Sequence, residues 1–169
     1  MTSFNILLEN IHAFVFDFDG VLTNNLVHID SNGNEWVSCC RADGLGFDAI
    51  KKLNKLVFIL STEQNQVVTA RAKKLNVPVF QGVNNKGKCL KELASKEGIA
   101  LGKILYVGND LNDYHAMKLC GFTVCPSDSH SKILAISDNV LQTTGGNGVV
   151  REILEDLLEL DLIKILFNE

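Results

Sequence analysis

Ala13-Phe14-Val15-Phe16-Asp17-Phe18-Asp19-Gly20-Val21-Leu22-Thr23 joins an unbroken apolar run to two carboxylates two residues apart. A short, continuous apolar run reads as a strand buried on both faces in a parallel sheet, and the glycine marks where it stops. The acids therefore belong at the carboxyl end of a strand, where open α/β sheets bind their ligands. A pair of acids there can hold a cation or run covalent and acid/base chemistry. Asp and Gly after a strand are also ordinary turn residues, so the meaning of the pair depends on the rest of the chain.

Beyond Thr23 the chain alternates β-rich runs with amphipathic stretches, the pattern of a parallel sheet with crossover helices. Strand-like segments Leu26 to Asp30 and Glu35 to Cys39 flank the polar turn Ser31-Asn32-Gly33-Asn34 and read as a β-hairpin. A helix begins near Asp43 and runs through Leu53, the strand Leu56 to Leu60 comes after it, and the next helix carries Val67, Val68, Ala72 and Leu75. Pro78 to Phe80 is a short strand, and Lys86 to about Lys96 is a helix. Strands Ile104 to Val107 and Phe122 to Cys125 bracket a helix ending near Met117. A short helix after Ser131, a last strand near Val140 and one C-terminal helix bearing Val149, Ile153, Leu157 and Leu160 complete the chain. The glycine-rich Gly145-Gly146-Asn147-Gly148 precedes that helix as a mobile hinge.

Composition narrows the class. A chain of 169 residues, 46% hydrophobic and 21% charged, suffices for one packed core and is short for two, so a single domain over residues 1–169 is expected. The formal net charge of -4 argues against nucleic acid, and no basic block suggests a membrane surface. Cys39, Cys40, Cys89, Cys120 and Cys125 show no CxxC spacing, and no leader-like segment opens the sequence. They read as reduced thiols of a cytoplasmic protein.

Three more signals stand at the ends of later strands. Ser61-Thr62 comes directly after the second core strand, where a hydroxyl and free backbone N–H groups can hold an anion; alone, it reads as a helix N-cap. Lys86, in Asn84-Asn85-Lys86, stands after the third strand. Gly108-Asn109-Asp110-Leu111-Asn112-Asp113 stands after the fourth and offers several oxygen ligands. Each has an ordinary explanation as a turn, a cap or a solvated charge, but the four in order are hard to produce by chance.

In these motifs the chain resembles the haloacid dehalogenase superfamily of phosphotransferases, and the resemblance covers nearly all of it. It implies a Rossmann-like three-layer α/β sandwich with a mainly parallel sheet. It implies that Asp17 is the nucleophile forming an aspartyl-phosphate and that Asp19 protonates the leaving group and activates water. Ser61 and Lys86 are then the residues that orient and neutralise the phosphate. Mg²⁺ is the implied cofactor, held by Asp17, the Asp19 carbonyl and one residue of the later cluster. Many relatives have Asp where this chain has Asn109, so either the Asn109 amide or Asp110 is the third ligand. Asp113 is expected to orient Lys86 or a metal-bound water.

The stretch from Thr23 to Ser61 holds a hairpin and one helix and leaves no room for a cap domain; nor does that from Lys86 to Asn109. The capless shape, the Asp17-to-Thr23 opening, Arg41-Ala42-Asp43-Gly44, Gln81-Gly82 and the glycine-rich segment before Arg151-Glu152 resemble phosphatases of KDO 8-phosphate and of nine-carbon sugar-acid 9-phosphates. The same domain ends some CMP-sialic acid synthetases. The resemblance implies a homotetramer acting on a small sugar acid phosphate, in sialic acid or lipopolysaccharide biosynthesis. It assigns substrate contacts to Thr23, Thr62, Glu63, Arg71 and Lys74. Arg71 and Lys74, three apart, share a helix face and could meet a carboxylate together. The loop Ser61-Thr62-Glu63-Gln64-Asn65, with Arg71 and Lys74 behind it, favours an N-acylneuraminate or KDN 9-phosphate; KDO 8-phosphate, or a noncatalytic oligomerisation module like the synthetase tails, is the alternative.

Overall fold

β1 (Ala13–Phe16) is buried along its whole length because it lies between two other strands, with apolar side chains packed on both faces. The structure is a computed structural model and describes residues 6–167. Around β1, the strands β4 (Leu56–Leu60), β5 (Val79–Phe80), β6 (Ile104–Val107), β7 (Phe122–Cys125) and β8 (Asn139–Val140) form a parallel six-stranded sheet in the order β5-β4-β1-β6-β7-β8. The order reverses direction at β1, which puts a crevice beyond its carboxyl end. Asp17 is the first residue past that end.

Alternate residues feed two cores. Phe14, Phe16, Ile59, Leu105 and Val107 face one side, where α1 (Ala42–Lys52) and α6 (Val149–Glu152) pack. Phe47 of α1 sits edge-on to Phe16, with ring centroids 5.3 Å apart. Val15, Leu60 and Tyr106 face the other side, with Leu90 and Leu93 of α3 (Lys86–Glu97), Met117 of α4 (Tyr114–Met117) and Ile133 of α5 (Ser131–Leu134). Between β4 and β5 lies α2 (Val67–Leu75), ended by Asn76 in the left-handed region. No described helix is long and apolar enough to cross a membrane, and all five cysteines are free thiols.

Two expectations need correction. The hairpin pairs only over β2 (His28–Ile29) and β3 (Glu35–Trp36). Leu26 and Val27 before it are exposed, as is the paired Ile29, so no core extends the pairing. The C-terminal helix is not one helix. After α6 the backbone widens into a π turn over Ile153–Leu157, with Leu158 N–H bonding Ile153 O at 2.9 Å, and Glu159 turns left-handed (φ 52°) before α7 (Leu162–Phe167). The inserted residue rotates the apolar stripe so that Ile153, Leu154, Leu158 and Leu162 all stay buried.

α6 is tied to α1 by Asp43, which is 2% exposed. Its Oδ1 accepts from the N–H groups of Val150 (2.9 Å) and Arg151 (3.3 Å), while Oδ2 is buried without a hydrogen-bond partner among the described residues. Burial outweighs those backbone bonds and pushes the carboxyl from 3.8 up to about 6. The native state thus keeps a proton that the unfolded chain has lost, and the associated stability, full below the unfolded value, falls as pH rises towards about 6. A shift of this size is worth about 3 kcal/mol. Asp43→Asn is expected to remove it: the difference in urea-unfolding free energy between wild type and variant should change across about pH 4 to 6 and be flat above that window. A constant difference throughout would refute the assignment.

Candidate active site

Asp17, Ser61, Lys86, Asn109 and Asp113 are all buried at the carboxyl end of the sheet. Asp17 N–H bonds Val107 O at 2.9 Å, prolonging the β1–β6 ladder by one residue and fixing the backbone that carries the carboxylate. Lys86, the first residue of α3, is aimed inward because Asn85 caps the helix, its Oδ1 accepting from Lys88 N–H at 2.9 Å. Its Nζ lies 2.6 Å from Asp17 Oδ1 and 2.7 Å from Asp113 Oδ1. Burial, the largest influence, pushes the ammonium's pKa down, but the two carboxylates together reverse this and raise it. Burial also pushes Asp17 well up, helped by Asp113 and opposed by Lys86.

Asp113 organises the rest of the cluster. Its Oδ1 also accepts from the Tyr106 hydroxyl at 2.9 Å, and its Oδ2 accepts the N–H groups of Asn109 (3.0 Å) and Asp110 (3.3 Å). Sequence reading missed Tyr106, a fully buried strand residue whose hydroxyl was the one available signal. Asn109 is buried, and its Oδ1 has no hydrogen-bond partner among the described residues. The amide is pressed against Gly20: a Cβ there would stand 2.7 Å from Asn109 Cγ, and Gly20 has φ +78°. Asp110 is exposed and turns its Oδ1 to the N–H of Leu111 at 2.7 Å.

Asp19 is half-buried. Burial and then the Glu63 charge raise its pKa, against Lys86 and a hydrogen bond with the Thr23 hydroxyl. The same Thr23 Oγ1 accepts from the N–H groups of Gly20 and Asn25, both at 3.2 Å. Thr23 is fully buried and braces the loop that carries Asp19. Ser61, directly after β4, has Oγ accepting from Glu63 N–H at 3.0 Å. Exposed Thr62 accepts from Asn112 Nδ2 at 3.2 Å, and Glu63 Oε1 accepts the N–H groups of Gln64 and Asn65. Arg71 donates to Cys40 O at 2.8 Å, and with Lys74 it lines a groove between α1 and α2 also bounded by Arg41 and Asp48. Within one chain, then, Glu63 joins the acid cluster while Arg71 and Lys74 face a groove of their own.

A metal ion of hard character suits this set. Among the described residues no group of three His, Cys, Asp or Glu side chains gathers. Mg²⁺ needs no such group, since it keeps several waters and takes carbonyl and amide oxygens. The orphaned Asn109 Oδ1, a buried acceptor beside the Asp19-Gly20 turn, is the structural sign of a missing donor or cation.

Comparison with known proteins agrees with this geometry. Residues 45–153 match a family described as haloacid dehalogenase-like hydrolase, and the chain belongs to that family. It is 34% identical over 151 residues to the 3-deoxy-D-manno-octulosonate 8-phosphate phosphatase KdsC of Salmonella typhi, covering 89% of this chain and 80% of that one. A HAD-family protein of Streptomyces avermitilis is 42% identical with TM-score 0.91, covering 96% and 93% of the two chains. The 3-deoxy-D-manno-octulosonate 8-phosphate phosphatase of Moraxella catarrhalis, solved with magnesium, phosphate and KDO, is 33% identical with TM-score 0.83, covering 94% and 89%. The chain is accordingly a phosphoric monoester hydrolase.

Proposed function

We propose that this chain, as one domain, hydrolyses the phosphate ester of a 2-keto-3-deoxy sugar acid, KDO 8-phosphate first among them, with Mg²⁺ as cofactor. The observation that carries the reading is the buried Asp17–Lys86–Asp113 array at the end of β1, next to an unpartnered Asn109 oxygen. Asp17, the Asp19 carbonyl and Asn109 would hold the ion. When bound, it neutralises phosphate charge and favours the ionised Asp17.

Asp17 attacks phosphorus as the bond to the sugar oxygen breaks. Asp19, whose pKa is held up by burial and Glu63, gives its proton to the departing alkoxide. Asp19 then takes a proton from the water that attacks the aspartyl-phosphate, freeing Asp17 and inorganic phosphate. Lys86 and Ser61 orient the phosphoryl oxygens, work that consists of positioning and charge neutralisation.

KDO 8-phosphate stands ahead of the nine-carbon substrates because of the relatives' activity. The nine-carbon reading keeps one support, Glu63 followed by Arg71 and Lys74 at the matching spacing. A phosphate-release screen with and without Mg²⁺, comparing KDO 8-phosphate with N-acylneuraminate and KDN 9-phosphates, decides between them. Fastest turnover of KDO 8-phosphate is expected. Preference for a 9-phosphate would restore the nine-carbon assignment, and no Mg²⁺-dependent release from any would favour the noncatalytic module.

The third ligand is separately testable. Asn109→Asp adds a negative charge and should lower the Mg²⁺ concentration at the midpoint of a thermal-shift titration, whereas Asp110→Asn should leave it in place. A shift caused by Asp110→Asn alone would move the ligand to Asp110.

The homo-oligomer, a tetramer by resemblance, remains part of this proposal. Leu26 and Ile29 are each 62% exposed on the hairpin, and His28 stacks on Trp36 with centroids 5.7 Å apart. A two-stranded hairpin is marginal by itself, and a second copy would cover both its apolar face and its edges. Light scattering should find a tetramer that Trp36→Asp dissociates. An active, substrate-selective wild-type monomer would overturn it.

A further inference from the structure

The glycine-rich segment expected to be a hinge instead lies against the back of the turn that carries Asp19. Gly146 N–H bonds Val21 O at 3.0 Å. A Cβ on Gly145 would stand 2.7 Å from the Gly20 carbonyl carbon, and one on Gly146 would stand 2.5 Å from Asn24 N and the Thr23 carbonyl carbon. Gly146 also has φ +73°. Only backbone can approach this closely. The turn it presses on is closed by the N–H groups of Leu22 and Thr23 on Phe18 O (2.9 and 3.1 Å), and its Thr23 hydroxyl accepts from the N–H of Gly20, the residue after Asp19, at 3.2 Å.

The segment is pinned from three sides. Gly145 N–H bonds Asp128 Oδ1 at 2.9 Å. Glu152 accepts the N–H groups of Gln142 (2.7 Å) and Thr143 (2.8 Å), and Asp43 holds Val150 and Arg151 just beyond the segment. Three carboxylates from different parts of the chain thus fix a stretch that carries none of the residues assigned to the chemistry.

We propose that Gly145 and Gly146, anchored by Asp128, Glu152 and Asp43, are positioning residues for Asp19: they form the wall that sets the Asp19-to-Thr23 turn at the distance proton transfer requires. This rests on the reading of Asp19 as the leaving-group acid. Misplacing an acid by a fraction of an ångström weakens its transfer selectively, so a shifted wall slows the leaving-group step of substrates that need the proton and largely spares that step in those that do not.

The test uses phenyl phosphate and p-nitrophenyl phosphate, the second having much the better leaving group, with kcat and KM measured for wild type, Asp19→Asn and Gly146→Ala alongside Tm. Gly146→Ala should lower kcat/KM, which reports the chemistry up to departure of the leaving group, by roughly tenfold more on phenyl phosphate than on p-nitrophenyl phosphate, a part of the whole acid contribution. Asp19→Asn should show the same bias more strongly. Should Gly146→Ala not fold, Asp128→Ala, which releases Gly145 N–H without adding an atom to the contact, is read in the same way, with a smaller bias expected. A biased Asp19→Asn beside variants of the wall that lower kcat/KM equally on both substrates would overturn the proposal alone. An unbiased Asp19→Asn would overturn the acid reading, and the proposal with it.

Discussion

Asp17→Asn is expected to lower Mg²⁺-dependent phosphate release by several orders of magnitude while the chain stays folded. The change removes the attacking oxygen's charge, and an amide is too weak a nucleophile to form the acyl-phosphate bond. It also takes one anion from the place where a divalent cation would bind. Folding should survive, because the volume is conserved and Lys86 keeps Asp113 at 2.7 Å as its counter-ion. Losing one of two carboxylates from a buried ammonium still has a cost, so a lower Tm is expected beside the lost turnover. Circular dichroism and a malachite-green phosphate assay on the same preparation check both halves. Hydrolysis near the wild-type rate by a folded variant would end the covalent mechanism.

Much of this site could be read from the sequence, for a definable reason. Strands β4, β6 and β7 run over the residues expected, Leu56–Leu60, Ile104–Val107 and Phe122–Cys125, because sheet burial on both faces demands mainly apolar runs that stop abruptly. Side chains stationed just after such runs inherit that clarity: Asp17, Lys86 and Asp113 meet within ion-pair distance, and Ser61 is buried at the end of the neighbouring strand β4. What the sequence hid is set by contacts between distant segments. Asn109 and Asp110 differ by one residue of backbone turn, and only the bonds from Asp113 Oδ2 to both N–H groups fix which side chain points inward. Tyr106 looked like core because it is core, with a hydroxyl that happens to reach Asp113. Gly145 and Gly146 carried the usual signature of flexibility, and their placement is set by contacts with Asp128 and the Asp19 turn and, through Val150, by Asp43, none of them near in sequence. The C-terminal break at Ile153–Leu157 was equally invisible, since a π turn leaves an apolar stripe that a regular helix would also show.

Asp19→Asn is expected to cost roughly 10²- to 10⁴-fold in kcat on a sugar phosphate, the usual worth of general acid/base help. An alkoxide is a poor leaving group and departs readily only with a proton. Two features of the structure equip Asp19 to carry that proton: burial raises its pKa first, and the negative charge of Glu63 raises it further, outweighing Lys86 and the Thr23 hydroxyl. The protonated fraction, and with it the first chemical step, therefore persists to higher pH than for an ordinary carboxyl group. The asparagine keeps an oxygen for the Thr23 hydroxyl and a carbonyl in the backbone, so neither the turn nor the main-chain oxygen offered to Mg²⁺ should be lost. On p-nitrophenyl phosphate, whose leaving group needs no proton, the first step should be nearly spared. The remaining loss should then fall on hydrolysis of the aspartyl-phosphate, the step in which the proposed mechanism uses Asp19 as base. A burst of p-nitrophenolate equal to the enzyme concentration, followed by slow turnover, is the expected signature. Equal losses on both substrates without a burst would mean that Asp19 serves the metal or the loop and donates no proton.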